Sequence, residues 1–450
     1  MAWRWFAGLL LASALSRAAE APPNAAEVYR RAFAARPELT EAENQLIRGQ
    51  PSDANAAAVS SKLAPALALY RSAAHMENCD WGLDFEKAGP ATRLPHLGPL
   101  RNLSIAAAWE AERVKASDPA AFVAWHADAL RSAVHAGQGG PLISALVETS
   151  MRTRSLTALS TNLAALPPDL LARLGAHLDA LPPQNFPQIL QREKALLMDW
   201  FMRRLIEKHR EQQDAAAATN FAARLRMSAM VEGGPIGLKI GLEEEDGDNF
   251  WLGLGQRKHG IELVSADLKR GEAVLLKDGQ AALVVLQEKR IEPISMQLIS
   301  AELTQIFSED LVQGMIKGDG SNSTQLVRQL MDASALMESI AASAATPVKD
   351  PEAWGEAVAA EQKQHGNVFT TALMPAFGMA RARIEATGAQ ELMLRVAVDT
   401  LRDGPAAAAR SRDPWGEGAP FALRPTPDGY ELVSQLLRKG TNIILRIPRR

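Results

Sequence analysis

Short segments with apolar residues at helical spacing follow one another from Ala25 to about Ala229, and proline or glycine separates them. One segment carries a leucine stripe, Leu170 to Leu181, between the pairs Pro167-Pro168 and Pro182-Pro183. Aromatic residues are only 5% of the 450 residues, and much of the apolar content is alanine, the best helix former. The pattern predicts a mainly α fold, an irregular array of antiparallel helical hairpins.

Helix boundaries are marked by capping residues and by proline. Asp118-Pro119 and Asp350-Pro351 each combine an N-cap with proline at the first helical position. Gly137 is expected to end the helix that Asp118 begins, and Pro375 to begin a last helix that reaches about Leu401.

Two regions depart from the helical pattern. Gly233–Gly260 is rich in glycine and includes the acidic run Glu243–Asp246, which indicates a long loop or inserted segment. Asp278-Gly279, between two apolar runs, predicts a hairpin there, with continuous helix as the alternative. Near the end, Pro427-Asp428-Gly429 separates two alternating segments, and Ile443–Ile447 follows, which predicts a β-hairpin or three-stranded appendage.

These patterns give five regions. The expected boundaries are a signal peptide at 1–18, an N-terminal helical domain at 19–232, a glycine-rich acidic loop with a possible hairpin at 233–290, a helical region at 291–404 and a β-appendage at 405–450.

The first residues have the layout of a secretory signal peptide. A basic start with Arg4 is followed by the apolar stretch Phe6–Leu15, and Ser16-Arg17-Ala18 places small residues before a cleavage site. The apolar stretch is shorter than the about 20 residues that a transmembrane helix needs. We therefore expect an exported protein, periplasmic or extracellular, with no membrane-spanning segment after cleavage. A buried N-terminal helix is the alternative.

The net charge bears on the class of partner, and the cysteine content bears on disulfide bonds. The formal net charge of −3 gives no electrostatic reason to expect nucleic-acid binding. Cys79 is the single cysteine, so an internal disulfide is excluded even in an oxidising compartment.

Two stretches resemble known families. The first comprises Cys79-Asp80-Trp81-Gly82-Leu83-Asp84-Phe85, Gly89-Pro90, Leu94-Pro95-His96-Leu97 and Leu100-Arg101. It resembles a segment of large, uncharacterised secreted protein families of Planctomycetes-type and Verrucomicrobia-type bacteria. The second comprises Asp413-Pro414-Trp415-Gly416, Pro420-Phe421 and Thr426–Ser434. It is similar to the C-terminal element of those families and resembles the C-terminal β-region of type II secretion pseudopilins. The resemblance implies no activity. Gln435–Lys439 replaces the pseudopilin calcium loop, so no calcium ligand is implied.

His75, Cys79, Asp80 and His96 are the residue types of a thiol–imidazole site, which needs a nucleophile, a base and an orienting group. Trp81 and neighbouring apolar residues in the same stretch favour a packed structural turn instead.

Other motifs are weaker. No His-x-x-x-His pair offers two metal ligands on one helical face, and Glu243–Asp248 lacks the ligand register of an EF-hand. Lys317–Thr324 precedes a helix without the Gly-Lys-Ser/Thr ending of a P-loop, and Gly253-x-Gly255 lacks a third glycine. We therefore assign no catalytic, cofactor or metal residue from the sequence.

Three hypotheses remain open. A non-catalytic exported scaffold that binds a protein partner is preferred over a secretion or envelope-assembly accessory, which rests on the pseudopilin-like element alone. The third is an enzyme with a site assembled from distant residues.

Overall fold

The computed structural model describes residues 23–49, 55–211, 221–232, 237–286, 288–293, 304, 323–365 and 377–449. Helices dominate this part of the chain, and the remaining regular structure forms three antiparallel sheets. A mainly α fold with a small β-appendage is thus confirmed. The chain divides into two compact units. Unit 1 comprises Met1–Leu83, Leu94–Gln138 and Val147–Pro182, and unit 2 comprises Asp84–Arg93, Gly139–Leu146 and Pro183–Arg450. The domain boundaries expected from the sequence stay a prediction.

Unit 1 is helical in its described residues. Its helices are α1 (Ala25–Ala35), α2 (Glu41–Arg48), α3 (Ala56–Ala74), α5 (Leu97–Val114), α6 (Pro119–Gly137), α7 (Leu142–Asn162, which begins in unit 2) and α8 (Pro168–Asp179); α4 (Phe85–Ala88) lies in unit 2.

The helix ends of unit 1 follow the capping signals. The Asp118 carboxylate accepts a hydrogen bond from the Ala121 amide, and α6 ends at Gly137 as expected. A capping box at Thr40 and Glu43 starts α2. These side chains satisfy amides that a helix leaves unpaired in its first turn.

The core of unit 1 combines alanine with a few large rings. Alanines such as Ala66, Ala107 and Ala133 are buried between helices, which lets neighbouring helices pack closely. Tyr29 and Trp81 fill the space that the alanines leave, with their rings stacked at a centroid distance of 5.7 Å.

The helices of unit 2 beyond α4 are α9 (Phe186–Lys194), α10 (Trp200–Glu211), α11 (Ser323–Ser343), α12 (Pro351–His365) and α13 (Phe377–Asp403). A π-helical turn, Ala195–Asp199, joins α9 to α10. The Asp350 carboxylate caps α12 as expected, and the expected start of α13 at Pro375 lies outside the described residues.

The loop expected over Gly233–Gly260 is wrong for the described residues there, which are largely β-strand. A three-stranded sheet contains β1 (Leu225–Glu232), β2 (Leu238–Glu244) and β3 (Asn249–Gly253) in that order. A five-stranded sheet contains β4 (Arg257–Lys258), β5 (Ile261–Asp267), β6 (Glu272–Lys277), β7 (Gln280–Val285) and β8 (Glu288–Pro293) in that order.

Glycines in this region lie within the strands and turns, where they allow a close contact or a positive φ. Gly241 lies in β2 opposite Trp251, whose ring lies 3.4 Å from where a Cβ would be, and Gly247 adopts a positive φ of 94° in the β2–β3 turn. The hairpin at Asp278-Gly279 is confirmed, because it joins β6 to β7 and both residues have positive φ. The helical alternative is therefore wrong there.

The middle strands of the five-stranded sheet are buried on both faces. Val274 and Leu276 pack into the core formed with the helices of unit 2, whereas Ala273 and Leu275 pack against the three-stranded sheet. A strand buried on both faces has a continuous apolar run, which explains why the alternating pattern is missing from the sequence here.

The C-terminal appendage is a three-stranded antiparallel sheet, as expected. It contains β9 (Ala422–Thr426), β10 (Gly429–Arg438) and β11 (Thr441–Pro448), with β10 in the middle. A chain of hydrogen bonds connects this region to α13. Arg381 Nε donates to Glu385 Oε1 at 2.6 Å, and Trp415 Nε1 donates to Glu385 Oε2 at 2.9 Å.

Candidate binding site around Asp128

A buried carboxylate on α6 lies in a network of arginine and histidine side chains from the end of α3, from α6 and from α8. Asp128 Oδ2 accepts a hydrogen bond from Arg71 Nε at 2.7 Å. Asp128 Oδ1 lies 2.9 Å from His75 Nε2 and 3.3 Å from Arg131 Nη1. Arg131 Nη2 also donates to His177 Nδ1 at 3.2 Å. We call these five residues the Asp128 cluster.

Burial separates the carboxylate from the groups around it. The Asp128 side chain is 2% exposed, whereas that of Arg71 is 38% and that of Arg131 is 30% exposed. The Arg71 guanidinium also lies 4.3 Å from the centroid of the Trp125 ring, which adds a cation–π contact. The cluster therefore presents positive charge to solvent and keeps its negative charge inside.

The imidazoles of the cluster act as hydrogen-bond partners of arginine. His75 contacts Asp128 through Nε2 and Arg131 through Nδ1 at 3.2 Å, so both of its ring nitrogens are engaged. Partial burial, and then the Arg131 guanidinium, lower the pKa of His177. For His75 this arrangement suits recognition of charge better than proton transfer, because a general base needs a ring nitrogen that faces its substrate.

The thiol–imidazole candidates lie in packed surroundings. Burial, and then the neighbouring Asp80 carboxylate, raise the pKa of the Cys79 thiol to about 12, so the thiol stays protonated near neutral pH. His96 stacks on Trp81 at 4.1 Å, and burial lowers the pKa of its imidazole to about 4. Asp80 Oδ1 accepts a hydrogen bond from the Gly82 amide in its own turn. His75 is the one member of this set that belongs to the Asp128 cluster.

Hydrogen bonds between rings and hydroxyls lie in the core of unit 1. Tyr29 Oη and His135 Nδ1 are 3.0 Å apart, and the Tyr70 hydroxyl bonds to the Ser132 hydroxyl. Burial lowers the pKa of His135 to about 4 and that of His126 to about 3. These imidazoles are therefore neutral structural groups at neutral pH.

The weaker motifs of the sequence have structural partners or lie outside the described residues. In the acidic run, Glu243 pairs with Arg226, and Glu244 Oε1 lies 3.3 Å from His259 Nδ1. Gly255 has a positive φ of 71° in the turn after β3, which leads to a strand and not to the helix of a dinucleotide site. Residues 317–322 lie outside the described residues, and Ser323 begins α11.

Hydrogen bonds in unit 2 connect residues of the second stretch that resembles known families, which runs from Asp413 to Ser434. The Asp413 carboxylate, fully buried, accepts hydrogen bonds from the Ser434 hydroxyl at 3.1 Å and from the Gln435 amide at 2.6 Å. It also accepts one from the Trp415 amide at 3.1 Å. The Asp-Pro-Trp and Ser positions of this stretch thus join the turn before β9 to the middle strand of the terminal sheet.

Sequence reasoning missed four of the five residues in the Asp128 cluster. A weak signal exists, because Arg71 and His75 are four residues apart, as are Arg173 and His177, and Asp128 stands between two alanines on a buried face. These spacings place each pair on one helical face, but they do not show that the faces meet.

Comparison of the chain with protein-family models, with curated proteins and with solved structures gives no match. None of the helices in the described ranges is long and apolar enough to cross a membrane.

Proposed function

We propose that this chain is a non-catalytic, exported helical protein that binds a partner through the surface around the Asp128 cluster. The observation that carries the proposal is the cluster itself. A buried carboxylate holds two arginines whose side chains are partly exposed, and the residues of the cluster come from the end of α3, from α6 and from α8.

The state of the core histidines and of Cys79 supports binding over catalysis. Reactive cysteines have a lowered thiol pKa, whereas burial raises that of Cys79 to about 12. Burial also lowers the pKa of His96 and His135 to about 4, well below the range in which a base serves at neutral pH.

Export and the antiparallel hairpin arrangement are parts of this proposal. Export is supported by the basic, apolar and small-residue order of residues 1–18. Expression of the full chain in a Gram-negative host, followed by fractionation and N-terminal sequencing, is expected to give a periplasmic protein that begins after Ala18. Recovery of the uncleaved chain from the cytosol would contradict export.

Partner binding is tested by quantitative crosslinking in periplasmic extract. Arg71→Glu reverses the charge of one exposed guanidinium and is expected to abolish the crosslinked products. Arg101→Glu makes the same charge change at an exposed position of α5, and Cys79→Ser removes the thiol; both are expected to leave the products unchanged. Products that persist in Arg71→Glu, or that disappear in Cys79→Ser, would overturn the proposal.

A further inference from the structure

The Asp128 carboxylate uses only part of the hydrogen-bonding capacity of its two arginines. Arg71 reaches Asp128 through Nε, and no described residue accepts a hydrogen bond from its Nη1 or Nη2. Arg131 uses Nη1 and Nη2 toward Asp128 and the two histidines, and its Nε has no acceptor among the described residues. A guanidinium has five N–H donors, so several donors remain for a ligand.

The geometry fixes these donors before a ligand arrives. The bond from Arg71 Nε to Asp128 and the Trp125 ring under the guanidinium hold Arg71 in one orientation. Fixing a long side chain in advance lowers the entropy that binding costs. The planar pair of terminal nitrogens on a guanidinium matches the two oxygens of a carboxylate or a phosphate.

Charge favours the same class of ligand. Two arginines and one aspartate leave one net positive charge, and the aspartate is hidden from solvent. The Arg173 guanidinium lies close enough to His177 to lower its pKa, and so adds positive charge on the side of α8.

We infer that Arg71 and Arg131 form an oxyanion-binding site, which takes a phosphate or carboxylate group of the ligand. The inference rests on the proposed function, because it names the chemistry that the same surface recognises. A purely structural ion network would join α3, α6 and α8 without any affinity for added anions, and this difference can be measured.

The test is calorimetric titration of the full processed chain with inorganic phosphate and, in a separate arm, with acetate. Saturable binding is expected in at least one arm, and the arm that binds identifies the group. Arg71→Gln is expected to weaken it by at least about tenfold, since it removes charged hydrogen bonds. Arg71→Lys keeps the charge without the planar pair of donors and is expected to bind with intermediate affinity.

Arg101→Gln is the matched control, because it removes one exposed arginine from the same unit. Failure of both anions to bind the unmodified chain would overturn the inference, as would equal affinity in Arg71→Gln and Arg101→Gln. Thermal melts show whether each variant is folded, and the Arg71→Lys variant keeps the charge, so a loss of binding can be distinguished from a loss of folding. Anion binding without any crosslinked partner would contradict the proposed function alone, and partner capture without anion binding would contradict this inference alone.

Discussion

The two units bury polar groups in different ways. In unit 1, tyrosines, histidines and serines lie throughout the helical core, and several of them are ionisable. In unit 2, the cores between the sheets and the helices are apolar, and the buried charged residues in the described part of the unit are Glu272, Arg381 and Asp413. We therefore expect the stability of unit 1 to respond to pH, whereas that of unit 2 should depend on close packing and on a few buried charges that have partners.

The largest effect is expected at Glu385 in unit 2. Arg381 is fully buried, and its Nε donates to Glu385. Glu385→Ala leaves this guanidinium without its carboxylate and removes the acceptor of the Trp415 indole, which should cost about 3–5 kcal/mol. Urea denaturation measures the loss. The exposed Arg383 on the same helix is the control, because Arg383→Ala should change stability by less than about 0.5 kcal/mol. Equal losses in the two variants would show that buried charge does not anchor unit 2.

Acid should destabilise unit 1 through its buried histidines. His126 is fully buried, and its folded-state pKa of about 3 lies below the about 6.5 of an unfolded histidine. The unfolded chain therefore binds protons first. The contribution of neutral His126 to the free energy of unfolding is intact above pH 6.5. It is lost at about 1.4 kcal/mol per pH unit as the pH falls from 6.5 toward 3.

His126→Leu removes this contribution from unit 1. Hydrogen exchange between pH 7 and pH 4.5 follows the two units separately, and the variant should show a shallower loss of protection in unit 1 only. If protection in unit 1 falls equally with pH in the variant and in the unmodified protein, His126 is not the source of the pH dependence of unit 1.

Helices α12 and α13 of unit 2 approach each other closely at a pair of glycines. A Cβ at Gly355 on α12 would come within 2.5 Å of the Gly378 Cα on α13. Gly355→Ala should therefore push the two helices apart and cost about 1–3 kcal/mol. Gly388, also on α13, has open space at its Cβ position, so Gly388→Ala should stabilise the protein by up to about 1 kcal/mol through helix propensity. If chemical denaturation shows that both variants stabilise the protein, or that both destabilise it, the packing explanation is wrong.

The smallest effect is expected from a single hydroxyl in unit 1. Tyr70→Phe removes the hydrogen bond to Ser132 and should cost about 1 kcal/mol, since the Ser132 hydroxyl keeps its bond to the Ala129 carbonyl. The corresponding change in unit 2, Tyr430→Phe, lies in the partly exposed terminal sheet and should cost less than about 0.5 kcal/mol. If thermal melts show a larger loss of stability for Tyr430→Phe than for Tyr70→Phe, the prediction is wrong.

Local signals made much of the helical architecture predictable. Asp118 and Asp350 cap the helices that their sequence positions indicate, because a cap depends on residues only three positions apart. The turn at Pro427-Asp428-Gly429 likewise sets the β9–β10 hairpin. Between Leu225 and Pro293, the β6–β7 hairpin was predicted from Asp278-Gly279, whereas the other strands were missed because glycine and acidic residues dilute their pattern. Helix stayed an alternative at the hairpin because alanine and the continuous apolar run of β6, which faces a core on both sides, hide the alternation.

The Asp128 cluster could not be predicted, because its members are separated by long stretches of chain. Arg71 and Asp128 are 57 positions apart, and Arg131 and His177 are 46 apart. Residue spacing shows which side chains share a face of one helix, but the register between helices depends on how the whole core packs.

These separations also set an order of events during synthesis. The cluster cannot be complete before His177 has left the ribosome, because the three helices that supply it span residues 56–179. Contacts between distant residues form late, after the entropy of closing long loops has been overcome. An anion that binds both Arg71 and Arg131 would therefore stabilise the packed arrangement of α3 and α6, because it binds only where these two helices meet.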